Sequence, residues 1–330
     1  MSRGGSPLCG RRWADSWFLH TPIPRGTKAS ESQRVELEPM PHTPWPLITL
    51  VTPVRNAVEY IEQTIRSIVF QDYPNLEYVI IDGASTDGTV DIIRKYADRL
   101  AWWVSEPDAS QFDAVNKAFA RTKGEIMGWI SGMDLLHVGS LFVLGSVFRD
   151  LAEVDWVTGI PTWFADQGMT VGVGQVPHWS RMRFLAGANR YIQNESTFWR
   201  RTLWEKAGGH YISSRRIAAD FELWIRFFRH AQLYPVNALI GGYREHGDAL
   251  TITHLNEVNR LYEQWIRAEL GSIRFGSVIR LFRRAGELLQ RFPMGKGLWS
   301  RAVLRALYNM RGPDWPPHIV REGEKWVLNG

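Results

Sequence analysis

Four short apolar runs, each followed by a cluster of polar residues, do most to limit the folds open to this chain. The runs are LITLV (Leu47–Val51), EYVIID (Glu77–Asp82), AWWVS (Ala101–Ser105) and EIMGWIS (Glu125–Ser131). The segments between them have helical spacing. Val58, Ile61, Ile65 and Ile68 form one stripe, with Asn56 placed to cap it. A second helix begins near Thr89, and Phe112, Val115 and Phe119 line one side of a third. Strands alternating with helices in this way predict a parallel sheet covered on both faces. Such sheets bind ligands beyond the carboxyl ends of their strands. Polar residues cluster at those four places: Thr52 to Asn56, Asp82 to Asp87, Glu106 to Asp108, and Ser131 to Asp134.

The rest of the chain is less regular. Residues 1–46 are rich in Gly, Pro, Ser and Arg without a period, which predicts a disordered tail ahead of a domain over 47–254. Short strands are expected near Trp156 to Ile160 and Thr170 to Val173, and helices near Arg201 to Ala207 and Ala219 to His230. From about Leu255 the pattern is helical and basic, giving an extension over 255–330. Its stretches VIRLFRRAGELLQRF and LWSRAVLRALYNM read as amphipathic helices with arginine-rich polar sides. They suit either a packed helical subdomain or peripheral contact with an anionic membrane surface.

Several functional classes are disfavoured. Cys9 is the single cysteine, so neither an intrachain disulfide nor a cysteine metal cluster is possible. No run of about 18 apolar residues is present to span a membrane, and the N-terminus lacks a signal-peptide layout. Together these point to the cytoplasm. A net charge of +5 does not imply nucleic acid, and the basic stretches lack interleaved exposed aromatics. Sixteen tryptophans stand out, and core filling is their ordinary use. TPVRNA after the first run is no Gly-x-Gly-x-x-Gly dinucleotide loop, and no Gly-x-Ser-x-Gly elbow follows a strand.

Four blocks carry a resemblance: TPVRN, IIDGASTDGT, SEPDASQFDAVNKAFARTKGEIMGWISGMD, and QNESTFWRRTLWEKAGG followed by AADFELWIRFF. In this order and spacing they resemble the family 2 glycosyltransferases, over roughly two-thirds of the chain. The resemblance implies the GT-A fold, a Rossmann-like, mostly parallel α/β sheet flanked by helices, here with a C-terminal helical extension. It also implies a nucleoside-diphosphate sugar as donor, uracil being the usual base, and a saccharide or lipid-linked saccharide as acceptor. Transfer would proceed by direct displacement with inversion.

The site residues follow from the same resemblance. Thr52, Pro53, Arg55 and Asn56 fall in the opening nucleotide loop, and Arg55 reads equally well as a diphosphate contact or a surface cation. Asp82 falls where the base and ribose would lie, with Ser85 and Asp108 in the neighbouring blocks. Asp113, Asn116 and Lys117 share a helix face by their spacing. The family pattern puts that face at the donor site, while an Asp113–Lys117 surface pair is the plain alternative. Asp134 matches a metal contact for Mn²⁺ or Mg²⁺, against an ordinary helix cap. Met133 replaces the second acidic residue usual there, which weakens the metal or makes it dispensable. His246 matches a late metal or diphosphate ligand. Asp220 matches the general base, with Ala219 replacing a second acid, and would also cap its helix. Glu195 is a candidate for binding acceptor hydroxyls, against a structural salt bridge. The alternative for the whole chain is a nucleotide-sugar-binding protein without turnover.

Overall fold

The structure is a computed structural model. It describes residues 44–176, 179–186, 191–212, 217–245, 254–273, 276, 277, 280 and 316–329. The first half runs β1 (Ile48–Val54), α1 (Ile61–Val69), β2 (Leu76–Asp82), α2 (Thr89–Lys95), β3 (Trp102–Ser105), α3 (Gln111–Phe119) and β4 (Ile126–Trp129). Then come β5 (Leu135–Leu136), α4 (Ser140–Asp150), β6 (Trp156–Thr158), β7 (Thr162–Phe164), β8 (Thr170–Val173) and α5 (Arg181–Ala186). The rest comprises β9 (Thr197–Arg200), α6 (Arg201–Lys206), α7 (Ala219–Phe227), β10 (Leu233–Pro235), β11 (Gly241–Arg244), α8 (Leu255–Ser272), β12 (His318–Glu322) and β13 (Lys325–Asn329).

A seven-stranded sheet has the order β10-β6-β9-β4-β1-β2-β3. Pairing is parallel from β4 through β1 and β2 to β3, and between β10 and β6, while β9 runs antiparallel to both β4 and β6. The chain builds outward from β1 to β3 and then returns to place β4 on the other side of β1. That reversal opens a crevice beside the carboxyl ends of β1 and β4. A second sheet, β5-β11-β7-β8, stands beyond it.

Every residue of β1 is buried, as a central parallel strand requires. Ile48 and Leu50 pack with Ile61, Ile65 and Ile68 of α1, whereas Val51 packs with Phe112, Val115 and Phe119 of α3 on the opposite face. The tryptophans serve this core. Trp156, Trp199 and Trp224 are among the largest fully buried side chains, and Trp156 stacks on Trp224 at 5.5 Å.

Two expectations are corrected. Asn56 does not cap α1: its backbone is left-handed (φ 50°), Tyr60 holds the cap position, and Val58 lies outside the helix and is exposed. The chain is also not helical throughout its last quarter. Helix α8 forms as expected, but β12 and β13 make an antiparallel hairpin. The two-residue turn between them begins at Gly323 (φ 61°), a backbone that glycine adopts freely. Ile319 bridges to Val236, and Trp326 is buried with its Nε1 donating to Ser146 Oγ at 2.8 Å. Alternation in HIVREGEKWVLN, apolar residues on one face, is the signal that favours strands here. The tail over 1–43 and most of the basic stretch, 281–315, lie outside the described residues.

Candidate active site

The loops after β1 and β2 are laced to each other. The Asn56 N–H donates to Ser85 Oγ at 2.7 Å, and the Thr86 N–H donates to Asn56 Oδ1 at 3.0 Å. The Val58 N–H donates to Asp87 Oδ2, and the Ala57 N–H to Thr89 Oγ1. Asp82, fully buried at the end of β2, accepts from the Ser85 N–H, the Ser85 hydroxyl and Ser105 Oγ. Ala84 holds a left-handed backbone (φ 56°) inside this loop, a strained state for a residue with a Cβ. Next door Gly83 is needed for space, because a Cβ there would lie 2.7 Å from Asp108 Oδ2. Asp108 thus lies over the loop backbone. Burial pushes its carboxyl up, Asp113 and Asp82 add to this, and Lys117 and Arg55 pull it down.

Thr52 and Asn116 turn to structural work. Thr52 is buried with its Oγ1 against the Tyr78 hydroxyl at 3.0 Å. Asn116 clamps the backbone of Tyr211 from both sides, Nδ2 donating to its carbonyl at 2.9 Å and Oδ1 accepting its N–H at 2.8 Å. Asp113 closes a reciprocal cap at the start of α3. Its N–H donates to Ser110 Oγ, and its Oδ2 accepts the Ala109 N–H. Lys117 pairs with Asp113 at 3.3 Å and with Glu106 at 3.1 Å, so the surface pair is present. Pro53 is buried in β1 and Arg55 is exposed beyond it.

The deeper group comes from three separate segments. Asp134, at the crossing from β4 to β5, is only 4% exposed, and its Oδ1 accepts the backbone N–H of Arg244 at 2.8 Å. It caps no helix, since β5 follows directly and α4 begins at Ser140 behind Gly139. Burial pushes its carboxyl up to about 7, with the Arg244 N–H and charge pulling the other way. The Arg244 guanidinium is turned elsewhere, onto the Asp166 carbonyl, Gln63 Oε1 and the Tyr60 ring.

Glu195 lies in a single helical turn, Asn194–Ser196, just before β9, and is 7% exposed. Its Oε2 is buried without a hydrogen-bond partner, and among the described residues no cation pairs with it. Among the described residues the salt-bridge alternative finds no partner. Its carboxyl is held well above the usual range, first by burial and then by Asp134 and Asp220. A Cβ on Gly241 of β11 would collide with the Glu195 carbonyl, so a glycine is required for β11 to pack against this turn.

Asp220 stands in the first turn of α7, whose cap residue Ala218 is left-handed (φ 64°). The expected cap role of Asp220 is corrected, because Ala218 holds the cap position and no side chain caps the helix. The Phe221 and Asp220 N–H groups do pull its carboxyl down, but burial outweighs them and raises it. The phenols of Tyr191 and Tyr243 are pushed up by burial and then by Glu195 and Asp134, and Tyr191 also by Asp220. Asp134, Glu195, Asp220, Tyr191 and Tyr243 therefore share one electrostatic neighbourhood. The tyrosines and the Arg244 backbone were not singled out from the sequence, although YREHGD contains two of these three residues.

Among the described residues no group of three or more His, Cys, Asp or Glu side chains could hold a metal by itself. Among the described residues no hydrogen bond reaches Asp134 Oδ2, and a single carboxylate suits Mg²⁺ or Mn²⁺ when substrate phosphates complete the shell. His246 lies outside the described residues. No described helix is long and apolar enough to cross a membrane.

An open α/β sheet with carboxylates gathered at its switch point agrees with what known proteins show. Residues 49–135 match the family model described as Glycosyl transferase family 2. Over 276 residues the chain is 25% identical to an uncharacterized glycosyltransferase of Mycobacterium tuberculosis, covering 81% of this chain and 94% of the other. A stretch of 96 residues is 36% identical to TuaG of Bacillus subtilis, a glycosyltransferase named for teichuronic acid biosynthesis, and covers 28% of this chain and 38% of TuaG. Residues 1–349 of S. aureus TarS, solved with UDP-GlcNAc, share the fold with a TM-score of 0.56 and 16% identity, over 79% of this chain and 80% of that one. The chain is a glycosyltransferase. Its residues 49–135 match the family 2 model, and the chain shares the GT-A fold.

Proposed function

We propose that the chain transfers one sugar from a nucleoside-diphosphate sugar, a UDP-sugar by family habit, to a saccharide or lipid-linked saccharide, with inversion. The observation that carries this reading is that buried Asp134, Glu195 and Asp220, from three separate segments, interact electrostatically, with Asp134 and the Glu195 turn both held against β11. The names of TuaG and the ligand of TarS support a role in polysaccharide or glycoconjugate assembly.

The chemistry follows from the placement. Asp220 accepts the proton of the acceptor hydroxyl as its oxygen bonds to the anomeric carbon, while the bond from that carbon to the diphosphate breaks. A carboxyl raised above the ordinary Asp range makes a better base at neutral pH than an unperturbed one. The laced loops offer Asp82, Ser85 and Asn56 to the nucleoside. Arg55, Asp108, Asp113, Asn116 and Lys117 flank the donor, with Asn116 acting through Tyr211. A divalent cation, Mn²⁺ or Mg²⁺, would be held by Asp134, diphosphate oxygens and His246, and would neutralise charge on the departing diphosphate. A binder without turnover would have no use for a carboxylate poised like Asp220.

Calorimetric titration of UDP, GDP, dTDP and CDP, each with and without Mn²⁺, tests the reading. One nucleotide binding, and more tightly with Mn²⁺, is expected; a folded chain that binds none refutes it. Peripheral membrane contact by the basic stretches, at the inner face of the cytoplasmic membrane, is part of the same proposal. Pelleting with anionic liposomes should be lost when Arg283, Arg284, Arg301 and Arg305 are changed to Glu. Unchanged pelleting would refute that part.

A further inference from the structure

The segment Gln193–Thr197 contains five successive polar residues, and four of them are engaged by the fold. Gln193 clamps the backbone of Thr162, its Oε1 accepting the N–H at 3.0 Å and its Nε2 donating to the carbonyl at 2.7 Å. Asn194 Nδ2 donates to the Trp129 carbonyl at 2.8 Å, which fixes the amide and leaves its Oδ1 buried and unpartnered. Ser196 Oγ donates to the Gly241 carbonyl, and Thr197 Oγ1 to the Gln193 carbonyl. Glu195 is the exception. Its Oε2 is buried and unpartnered although the turn around it is pinned at every other position. Leaving a buried carboxyl oxygen without a protein partner is costly, so a fold that holds one in so rigid a frame has placed it for something that arrives later.

The position says what arrives. Glu195 interacts electrostatically with both Asp134 and Asp220. In a direct displacement the transferred sugar is the one group that reaches from the leaving diphosphate to the general base. Strand β11 ties two of these groups together, with Gly241 packed on the Glu195 turn and the Arg244 N–H on Asp134, so on the assignment above Glu195 lies on the path from the diphosphate end toward Asp220, where the sugar would sit. A sugar ring presents hydroxyl donors, which two unpartnered acceptor oxygens need.

We propose that Glu195, together with the amide oxygen of Asn194, reads hydroxyl groups of the transferred sugar and so selects the donor. The inference rests on the transferase reading above. It makes Glu195 a specificity residue of the donor side rather than an acceptor contact or a cation ligand. Donors carrying free hydroxyls at the positions read are preferred over deoxy or alkylated counterparts, because a missing hydroxyl leaves the buried oxygens unpaired.

Calorimetry with the wild type, Glu195→Gln and Glu195→Ala tests this, comparing UDP with UDP-glucose, UDP-galactose and UDP-N-acetylglucosamine, and GDP with GDP-mannose, all with Mn²⁺. The wild type is expected to bind one sugar nucleotide more tightly than its bare nucleotide. Glu195→Ala should weaken that sugar nucleotide by about 10-fold or more while the bare nucleotide binds as before. Glu195→Gln, which keeps the volume, should weaken it in the same selective way, so the test survives if the alanine variant does not fold. Equal loss for nucleotide and sugar nucleotide, with Mn²⁺ no longer helping, would make Glu195 a cation ligand and overturn the proposal. Unchanged sugar-nucleotide binding in both variants, or a wild type that favours no sugar nucleotide over its nucleotide, would overturn it as well. A wild type that binds no nucleotide at all removes the transferase reading itself, an outcome distinct from these.

Discussion

Replacing Asp134 by Asn should stabilise the protein at alkaline pH while disabling it. The carboxyl is pushed from 3.8 to about 7 by burial, about 3 units, and each unit is worth about 1.4 kcal/mol. Ionising Asp134 in the folded chain therefore costs about 4 kcal/mol more than in the unfolded one. Below about pH 4 both states are protonated and this cost is absent. It grows as pH rises through the interval up to about 7 and is complete above that. Asn keeps an oxygen for the Arg244 N–H, carries no charge, and removes the negative neighbour that raises Glu195. Urea denaturation at a series of pH values from about 4 to 8 should show the Asn variant gaining on the wild type as pH rises. The gap should approach about 4 kcal/mol at the alkaline end. A difference independent of pH, or an Asn variant less stable than the wild type at alkaline pH, would refute the reasoning.

Other substitutions separate catalysis from structure. Asp220→Asn should lower kcat by about 100-fold or more with nucleotide affinity kept, read in a coupled assay for released nucleotide. In the wild type, kcat/KM should fall on acidification at a pH above the ordinary Asp range, since burial raises the Asp220 carboxyl and protonation removes the base. Asn116→Ala should cost about 1–3 kcal/mol in urea denaturation, because the Tyr211 backbone loses both partners. Trp326→Ala should cost about 3–5 kcal/mol by the same measurement if the terminal hairpin belongs to the core.

The sheet was legible because its strands repeat one simple pattern. Burial on both faces made β1, β2 and β4 continuous apolar runs, and the polar clusters that follow them marked the binding edge before any geometry was known. Asp134, Glu195 and Asp220 were named from the sequence, but their convergence was not readable. It depends on β9 running antiparallel between β4 and β6, and on Gly241 letting β11 close against the Glu195 turn. The use of Asn116 was hidden for a similar reason. Its spacing from Asp113 and Lys117 marks a helix face, but only the fold brings the Tyr211 backbone within reach of its amide. The hairpin at the C-terminus went unread because the basic stretch before it has helical spacing, which masked the change of period at His318.

The lacing of the loops after β1 and β2 bears on how a nucleotide meets this protein. These loops hold each other through Asn56, Ser85, Thr86, Asp87 and Thr89. Folding has thus already removed most of their conformational freedom, and a ligand docking there orders little further backbone. Association at this edge should therefore follow diffusion and orientation in one kinetic step, with no slow phase of loop closure.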